Sequence, residues 1–191
     1  MIRILENYYG VLLRPNETFK KIFTESNFGT CLLTLLFISL ISTFNYAGFL
    51  NIKDNYSNLF LLFFFTLGVY LFFWFFTSIL LTFIANILGG NGKISETMIG
   101  IGISSFPLIF SSPIYSLPNI VGDLGFTIQL IGMIFIYGWT FILIIISLKE
   151  SQKFSLDKAI SSIILSIFFG VVLILMFLLL IVLCFTLFIS L

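Results

Sequence analysis

The 191-residue chain has no histidine, two cysteines, four prolines and only 9% charged residues. Each scarcity removes a class of chemistry. Without histidine there is no imidazole acid or base, and two separated cysteines build no His/Cys metal cluster. Cys31 opens the first apolar stretch and Cys184 lies near the end of the last. The threading below puts them on opposite sides of a bilayer, beyond the roughly 7 Å Cα separation that a disulfide tolerates, so both are read as packing residues. Charge is missing where ion-coupled transport would need it: no Asp, Glu, Lys or Arg falls inside an apolar stretch, whereas coupled transporters keep an ionisable group at depth. Serines occur there without a base beside them and without paired carboxylates, which leaves no machinery for intramembrane proteolysis. The expectation is a non-enzyme with no catalytic residue, no metal and no cofactor. An apolar h-region of about 7 to 15 residues is also lacking before Pro15, so no signal peptide is expected.

What is present is apolar. The chain is 60% hydrophobic and 18% aromatic, with a mean hydropathy of +1.20, whereas soluble domains carry about 25% charged residues. Several runs exceed the roughly 18 to 20 residues needed to cross a hydrocarbon core. Charges and turn residues divide them into five predicted spans at 28–50, 57–88, 97–118, 124–148 and 158–191. The fold class expected is therefore all-α: a polytopic five-helix membrane domain over residues 28–191, after a polar segment at 1–27. Spans two and five would each make about 50 Å of helix, so they must tilt, bend or protrude.

Basic residues set the orientation. Arg3, Arg14, Lys20 and Lys21 precede span one, Lys93 follows span two, and Lys149, Lys153 and Lys158 follow span four; only Lys53 lies on the other side. The positive-inside rule then puts the N-terminus in the cytosol and the C-terminus outside. Tyr46, Tyr56 and Tyr115 fall near the outer boundary, as an interfacial aromatic belt requires. Within residues 1–27, Leu5, Tyr8, Tyr9 and Leu12 form one helical stripe opposite Arg3, Glu6, Asn7, Gly10 and Arg14. After Pro15, the residues Phe19, Ile22 and Phe23 form a second stripe facing away from Lys20 and Lys21. That is the pattern of short amphipathic helices lying in the headgroup plane, either as an elbow that sets how span one enters the membrane or as a lipid or partner contact. The candidate contact residues are Arg14, Lys20, Lys21, Lys93, Lys149, Lys153 and Lys158.

The stretch LGGNGKISETMIGIGISSFP at 88–107 has the glycines and lysine of a phosphate loop but not its spacing: the residue five before Gly92 is Ile87, and Ile94 follows Lys93. It is read as a turn, with Gly89 or Gly90 ending span two in a left-handed cap, Ser95 capping span three, and Glu96 favourable at that N-terminus. Beyond it Gly100, Ser104, Pro107 and Ser111 recur at helical spacing. They make a small-residue face expected to meet Ser162, Ser166 and Gly170 of span five. Gly125, Gln129 and Gly132 share a face of span four, where Gln129 could bond across helices. Pro107, Pro113 and Pro118 must interrupt span three, with Ser104, Ser105, Ser111 and Ser112 available to the freed backbone groups. An Asn55-Tyr56-Ser57 sequon lies in a short loop hugging the membrane and is read as chance.

LLRPNETFKKIF, an apolar span, and LGGNGKISETMIGIGISSFPLIF together resemble the Yip domain family, named for interaction with Ypt/Rab GTPases. The resemblance implies a five-helix membrane protein with a cytosolic N-terminus, in which Pro15, Phe19, Gly89, Gly90 and Pro107 stand at the family's motif positions. Eukaryotic members carry a longer cytosolic N-terminal region. This chain looks more like the compact prokaryotic type, which implies a bacterial or archaeal cytoplasmic membrane. The function expected is a non-catalytic adaptor or accessory subunit of a membrane complex, trafficking or export related. The alternatives are a channel or transporter for an apolar or lipid-like substrate lined by the kinked third span, and a membrane-shaping protein. Expected partners are membrane lipids, another membrane protein or a second copy, with GTPase binding implied by the resemblance and no nucleic acid.

Overall fold

A computed structural model describes residues 2–25, 28–49 and 56–189; Lys53, Asn55 of the sequon and the side chains of Arg3, Tyr56 and Cys184 lie outside what is described. Every described element is helical. Two short helices, α1 (Ile2–Leu13) and α2 (Pro15–Glu25), precede α3 (Phe28–Phe49) and α4 (Tyr56–Ile87). A broken segment follows: α5 (Ile94–Ser104), a 3-10 turn (Phe106–Phe110), α6 (Ser111–Tyr115) and α7 (Leu117–Val121). Two long helices complete the chain, α8 (Asp123–Gln152) and α9 (Leu156–Ile189). Five stretches are long and apolar enough to span a bilayer: Phe28–Gly48, Ser57–Ile87, Ile94–Val121, Asp123–Gln152 and Leu156–Met176. Helices are the form such sequences take because each backbone amide and carbonyl is satisfied within the segment, where lipid offers no partner.

Polarity is inverted relative to a water-soluble bundle. Thr34, Ser39, Thr43, Thr66, Ser78 and Thr82 are buried, while Phe60, Phe65, Phe72 and Phe83 of α4 are more than half exposed and form a lipid-facing surface. The hydroxyls are paired. Thr34, Thr43 and Thr82 donate to the carbonyls of Thr30, Ser39 and Ser78, one turn back, at 2.7–2.8 Å. Thr43 Oγ1 also meets Thr66 Oγ1 at 2.8 Å, fastening α3 to α4. Small hydroxyl side chains allow close approach and satisfy themselves locally, the packing chemistry of membrane helices.

Span three is the central one, packing on spans one, two and four, while span five lies against spans two and four. It is broken where the prolines stand: Pro107 falls in the 3-10 turn, Pro113 in α6 and Pro118 in α7. Span four runs past Leu148 to Gln152, so Lys149 sits on the helix rather than in a loop. The chain then turns through Lys153, which has φ 56° and is the one non-glycine residue at positive φ among the described residues.

The N-terminal helices belong to the bundle. Val11, Phe19 and Ile22 are fully buried in one cluster with Cys31, Leu35, Leu143 and Leu148. The α2 stripe therefore lies on protein, with Phe19 and Ile22 sealed beneath it. The expected α1 stripe is divided: Tyr8 and Val11 turn inward with Asn7, whereas Leu5 and Tyr9 are about two-thirds exposed, alongside Leu13. The inward edge is fixed by two contacts: the Tyr8 hydroxyl is taken up by Thr30 and Thr34 of α3, and Val11 enters the apolar cluster.

Candidate functional site

At the basic end of the bundle, three glycines shape the turn between spans two and three, each for a steric reason. Gly89 has φ +88°, a conformation that L side chains rarely adopt. A Cβ on Gly90 would lie 2.7 Å from Gln152 Oε1, and one on Gly92 would overlap the Ser151 carbonyl. The turn is thus pressed onto the end of α8 and sewn there by one side chain. Gln152 is fully buried. Its Oε1 accepts from the Gly92 amide at 3.0 Å, its Nε2 donates to Thr97 Oγ1 at 3.0 Å, and its carbonyl accepts from the Asn91 amide at 3.2 Å. The phosphate-loop likeness has a structural cause: these glycines wrap an amide side chain of their own protein. Span three begins at Ile94 instead of after Ser95, and Glu96 reaches back to the Lys93 amide at 3.4 Å, so the N-terminus is closed by Glu96 and not by Ser95.

The helix pair completes this end. Lys20 meets Glu150 at 3.7 Å and Lys149 meets the same carboxylate at 3.2 Å. Arg14, Lys21, Lys93, Lys153 and Lys158 are exposed around it. Tyr8 fixes α1 against the spans, its hydroxyl 2.8 Å from Thr34 Oγ1 and 3.2 Å from the Thr30 carbonyl. Burial pushes the Tyr8 phenol above its ordinary pKa, an effect the Thr34 hydrogen bond partly opposes.

One step further in, two glycines of α5 serve two different faces. A Cβ on Gly100 would overlap the Ser147 hydroxyl of α8 and lie 3.2 Å from the tip of Phe23 in α2. A Cβ on Gly102 would overlap Cys31 Sγ of α3 and lie 3.3 Å from Trp74 Nε1 of α4. The expected seating of Gly100 on the serines of span five is therefore corrected. Gly100 meets span four, while a Cβ on Gly170 of span five would have Leu80 of span two as its nearest neighbour, at 3.8 Å. The Ser162 and Ser166 hydroxyls turn back to the Lys158 and Ser162 carbonyls at 2.8 and 2.7 Å. Trp74 Nε1 donates to the Met98 carbonyl at 2.8 Å, binding span two to span three. Sequence reasoning passed over Gly102, Trp74 and Gln152; the Gly-x-Gly spacing at 100–102 was the available signal, since residues two apart face different neighbours on a helix.

Around the break in span three, Ser105 donates to the Ile101 carbonyl at 2.9 Å and Ser112 donates to Asn45 Oδ1 of span one at 3.4 Å. Ser104 is buried with no hydrogen-bond partner among the described residues. Gly125 of α8 is buried against the Leu117 backbone, and Gly132 lies under Ile114, so these two glycines seat the outer pieces of span three on span four. Gln129 is half-buried and makes no side-chain hydrogen bond among the described residues. Beyond the break lies a cavity of about 670 Å³ lined by Ile38, Ser42, Asn45, Tyr46, Tyr70, Leu108, Ser111, Tyr115 and Tyr137. It opens among spans one to four, away from span five. Tyr46 and Tyr115, read as a belt, line this cavity and are 51% and 42% exposed.

These features define a class: an integral membrane protein of five apolar helices with threonine and serine side chains buried between them. The chain matches the Yip1 domain over residues 9–189 and belongs to that family, whose members are in general non-enzymatic membrane proteins that interact with partners such as GTPases. The match covers Pro15, Phe19, Gly89, Gly90 and Pro107. Comparisons with curated proteins and with solved structures give no match.

Proposed function

We propose that this Yip1-family protein is a non-catalytic adaptor or accessory subunit of a trafficking- or export-related membrane complex. On this reading its basic end faces the cytosol of a prokaryotic cell and receives a protein partner. One observation carries it. Helices α1 and α2, the glycine turn at 88–93 and the end of α8 are locked together by buried Phe19 and Ile22, by Gln152 and by the paired Lys20 and Lys149 on Glu150. The result is a preformed face with Arg14, Lys21, Lys93, Lys153 and Lys158 around its rim. A surface held this firmly loses little conformational freedom on association, and its positive rim favours an acidic partner.

The full chain carrying a photocrosslinking residue at Lys21, Lys93 or Lys158 tests this in native membranes. A single protein crosslinked from all three positions, and not from lipid-facing Phe72, is the expected result. Crosslinks to lipid alone from every position sink the reading. Retention of a GTPase in one nucleotide state only would identify the partner class. Impermeant labelling of Lys153 from outside sealed cells would overturn the orientation.

A further inference from the structure

Helix α1 has one side that the described residues leave open. Leu5, Tyr9 and Leu13 stand four residues apart, so they share one line along the helix, and they are 65%, 69% and 61% exposed. Asn7, Tyr8 and Val11 on a second side are buried against the bundle. Glu6 and Arg14 are exposed on a third, with Gly10 between them, where a Cβ would lie 2.5 Å from the Thr18 hydroxyl of α2. An ordinary amphipathic helix has an apolar and a polar side. This one has a protein side, an open apolar side and a charged side.

The level at which α1 is held decides what meets the open side. The Tyr8 hydroxyl reaches Thr30 and Thr34, within the first two turns of span one, which begins at Phe28. The Tyr8 ring stacks on Phe106, which follows the 11 residues of α5 (Ile94–Ser104), about 16 Å of helix. Both partners stand inside the ends of apolar spans. On span one, the line through Thr30 and Thr34 separates two surfaces: Cys31, Leu35 and Ile38 are buried in the bundle, whereas Leu33 and Phe37 are exposed. Phe106 in turn packs edge-on against Phe110, which is 49% exposed. Helix α1 is therefore seated on the border between the core and the lipid-facing surface. Its open line continues that surface, and acyl chains are the medium that takes such side chains out of water.

We propose that the open side of α1 is a lipid-docking surface, with Leu5, Tyr9 and Leu13 among the acyl chains of the leaflet at the basic end and with Glu6 and Arg14 toward its headgroups. Tyr8 then fixes α1 within the leaflet instead of above it, and the helix acts as a lateral anchor beside span one. Lipid is favoured over a protein helix because the line adjoins exposed Leu33 and Phe37, which already face the bilayer. The surface uses none of the residues on the adaptor rim. It stands whichever side of the membrane the basic end faces, and whether or not a protein docks there.

The test uses the full, unaltered chain in phosphatidylcholine nanodiscs that contain a phosphatidylcholine with a benzophenone group at mid-chain. Labelled residues are located by tandem mass spectrometry. Leu5, Tyr9 and Leu13 are expected to take at least about fivefold more label than exposed Asn16, Glu17 and Lys20 of α2, as immersion in the acyl layer requires. Label on the α1 line no higher than on those α2 residues would overturn the proposal. No partner protein is present in the nanodisc, so the outcome is independent of the adaptor reading. A second measurement places a photocrosslinking residue at Tyr9 of the full chain in native membranes, where crosslinks to lipid are expected. Capture of a second copy or of another protein as the main product would assign the line to that occupant and overturn the lipid assignment.

Discussion

The Tyr8 ring stacks on Phe106 with centroids 4.3 Å apart and planes 13° from parallel. An N-terminal helix outside the spans is thereby laid against the residue at which span three leaves its α-helical course. Tyr8→Phe keeps the stack and removes the hydroxyl bonded to Thr34, which retains its own bond to the Thr30 carbonyl. A loss of about 1 kcal/mol is expected. Tyr8→Ala also removes the ring, with a loss of about 3 to 5 kcal/mol. Thermal unfolding of the purified protein in one detergent checks both. Equal losses for the two variants would mean that the stack contributes nothing.

Gly102 and Cys31 form a coupled pair. Gly102→Ala puts a methyl group onto Cys31 Sγ and is expected to cost about 1 to 3 kcal/mol, the usual penalty for overfilling a packed interior. Cys31→Ala removes the obstructing sulfur and opens a small void. The double variant should be more stable than the sum of the single losses predicts, by at least about 0.5 kcal/mol. Additive losses would place the strain of Gly102→Ala on Trp74 instead.

Span number and the turn were legible because both signals are local. Run length marks a membrane helix wherever it packs, and the glycines at 89 and 90 announced a left-handed cap that Gly89 supplies. Helix pairing was not legible in the same way. Gly100 with Ser104 and Ser162 with Ser166 are equally good small-residue faces, and which of them meet depends on the order of helices around the bundle, a non-local property. The division of the α1 stripe was hidden because its inward edge is set by Thr30 and Thr34 and by the apolar cluster, partners that no local pattern announces. The tyrosine-lined cavity was hidden for a similar reason: its four rings are spread over residues 46 to 137 and share no local pattern.

Gln152 holds the glycine turn through three hydrogen bonds, two of them made by its side chain. Gln152→Leu fills the same space and leaves the Gly92 amide and the Thr97 hydroxyl without that partner. The expected loss is about 1 to 3 kcal/mol. Hydrogen exchange should accelerate at residues 89–93 while α4 and α8 keep their protection, because the turn opens before the helices do. Unchanged exchange at Gly92 would show that glycine packing alone seats the turn.

Ser104 and Thr43 predict opposite signs for the same kind of deletion. Ser104 buries a hydroxyl without a partner among the described residues, so the protein has already lost that group's hydration and recovers no bond for it. Ser104→Ala should leave stability unchanged or raise it by up to about 1 kcal/mol. Thr43 donates to the Ser39 carbonyl and meets Thr66 across the α3–α4 seam, both at 2.7–2.8 Å. Thr43→Val preserves the shape and should lose about 1 kcal/mol. Paired melting curves in one detergent give the two shifts directly. A loss at Ser104 as large as that at Thr43 would mean that the Ser104 hydroxyl has a partner in the membrane, and the break in span three would then be held by a polar contact instead of by proline geometry alone.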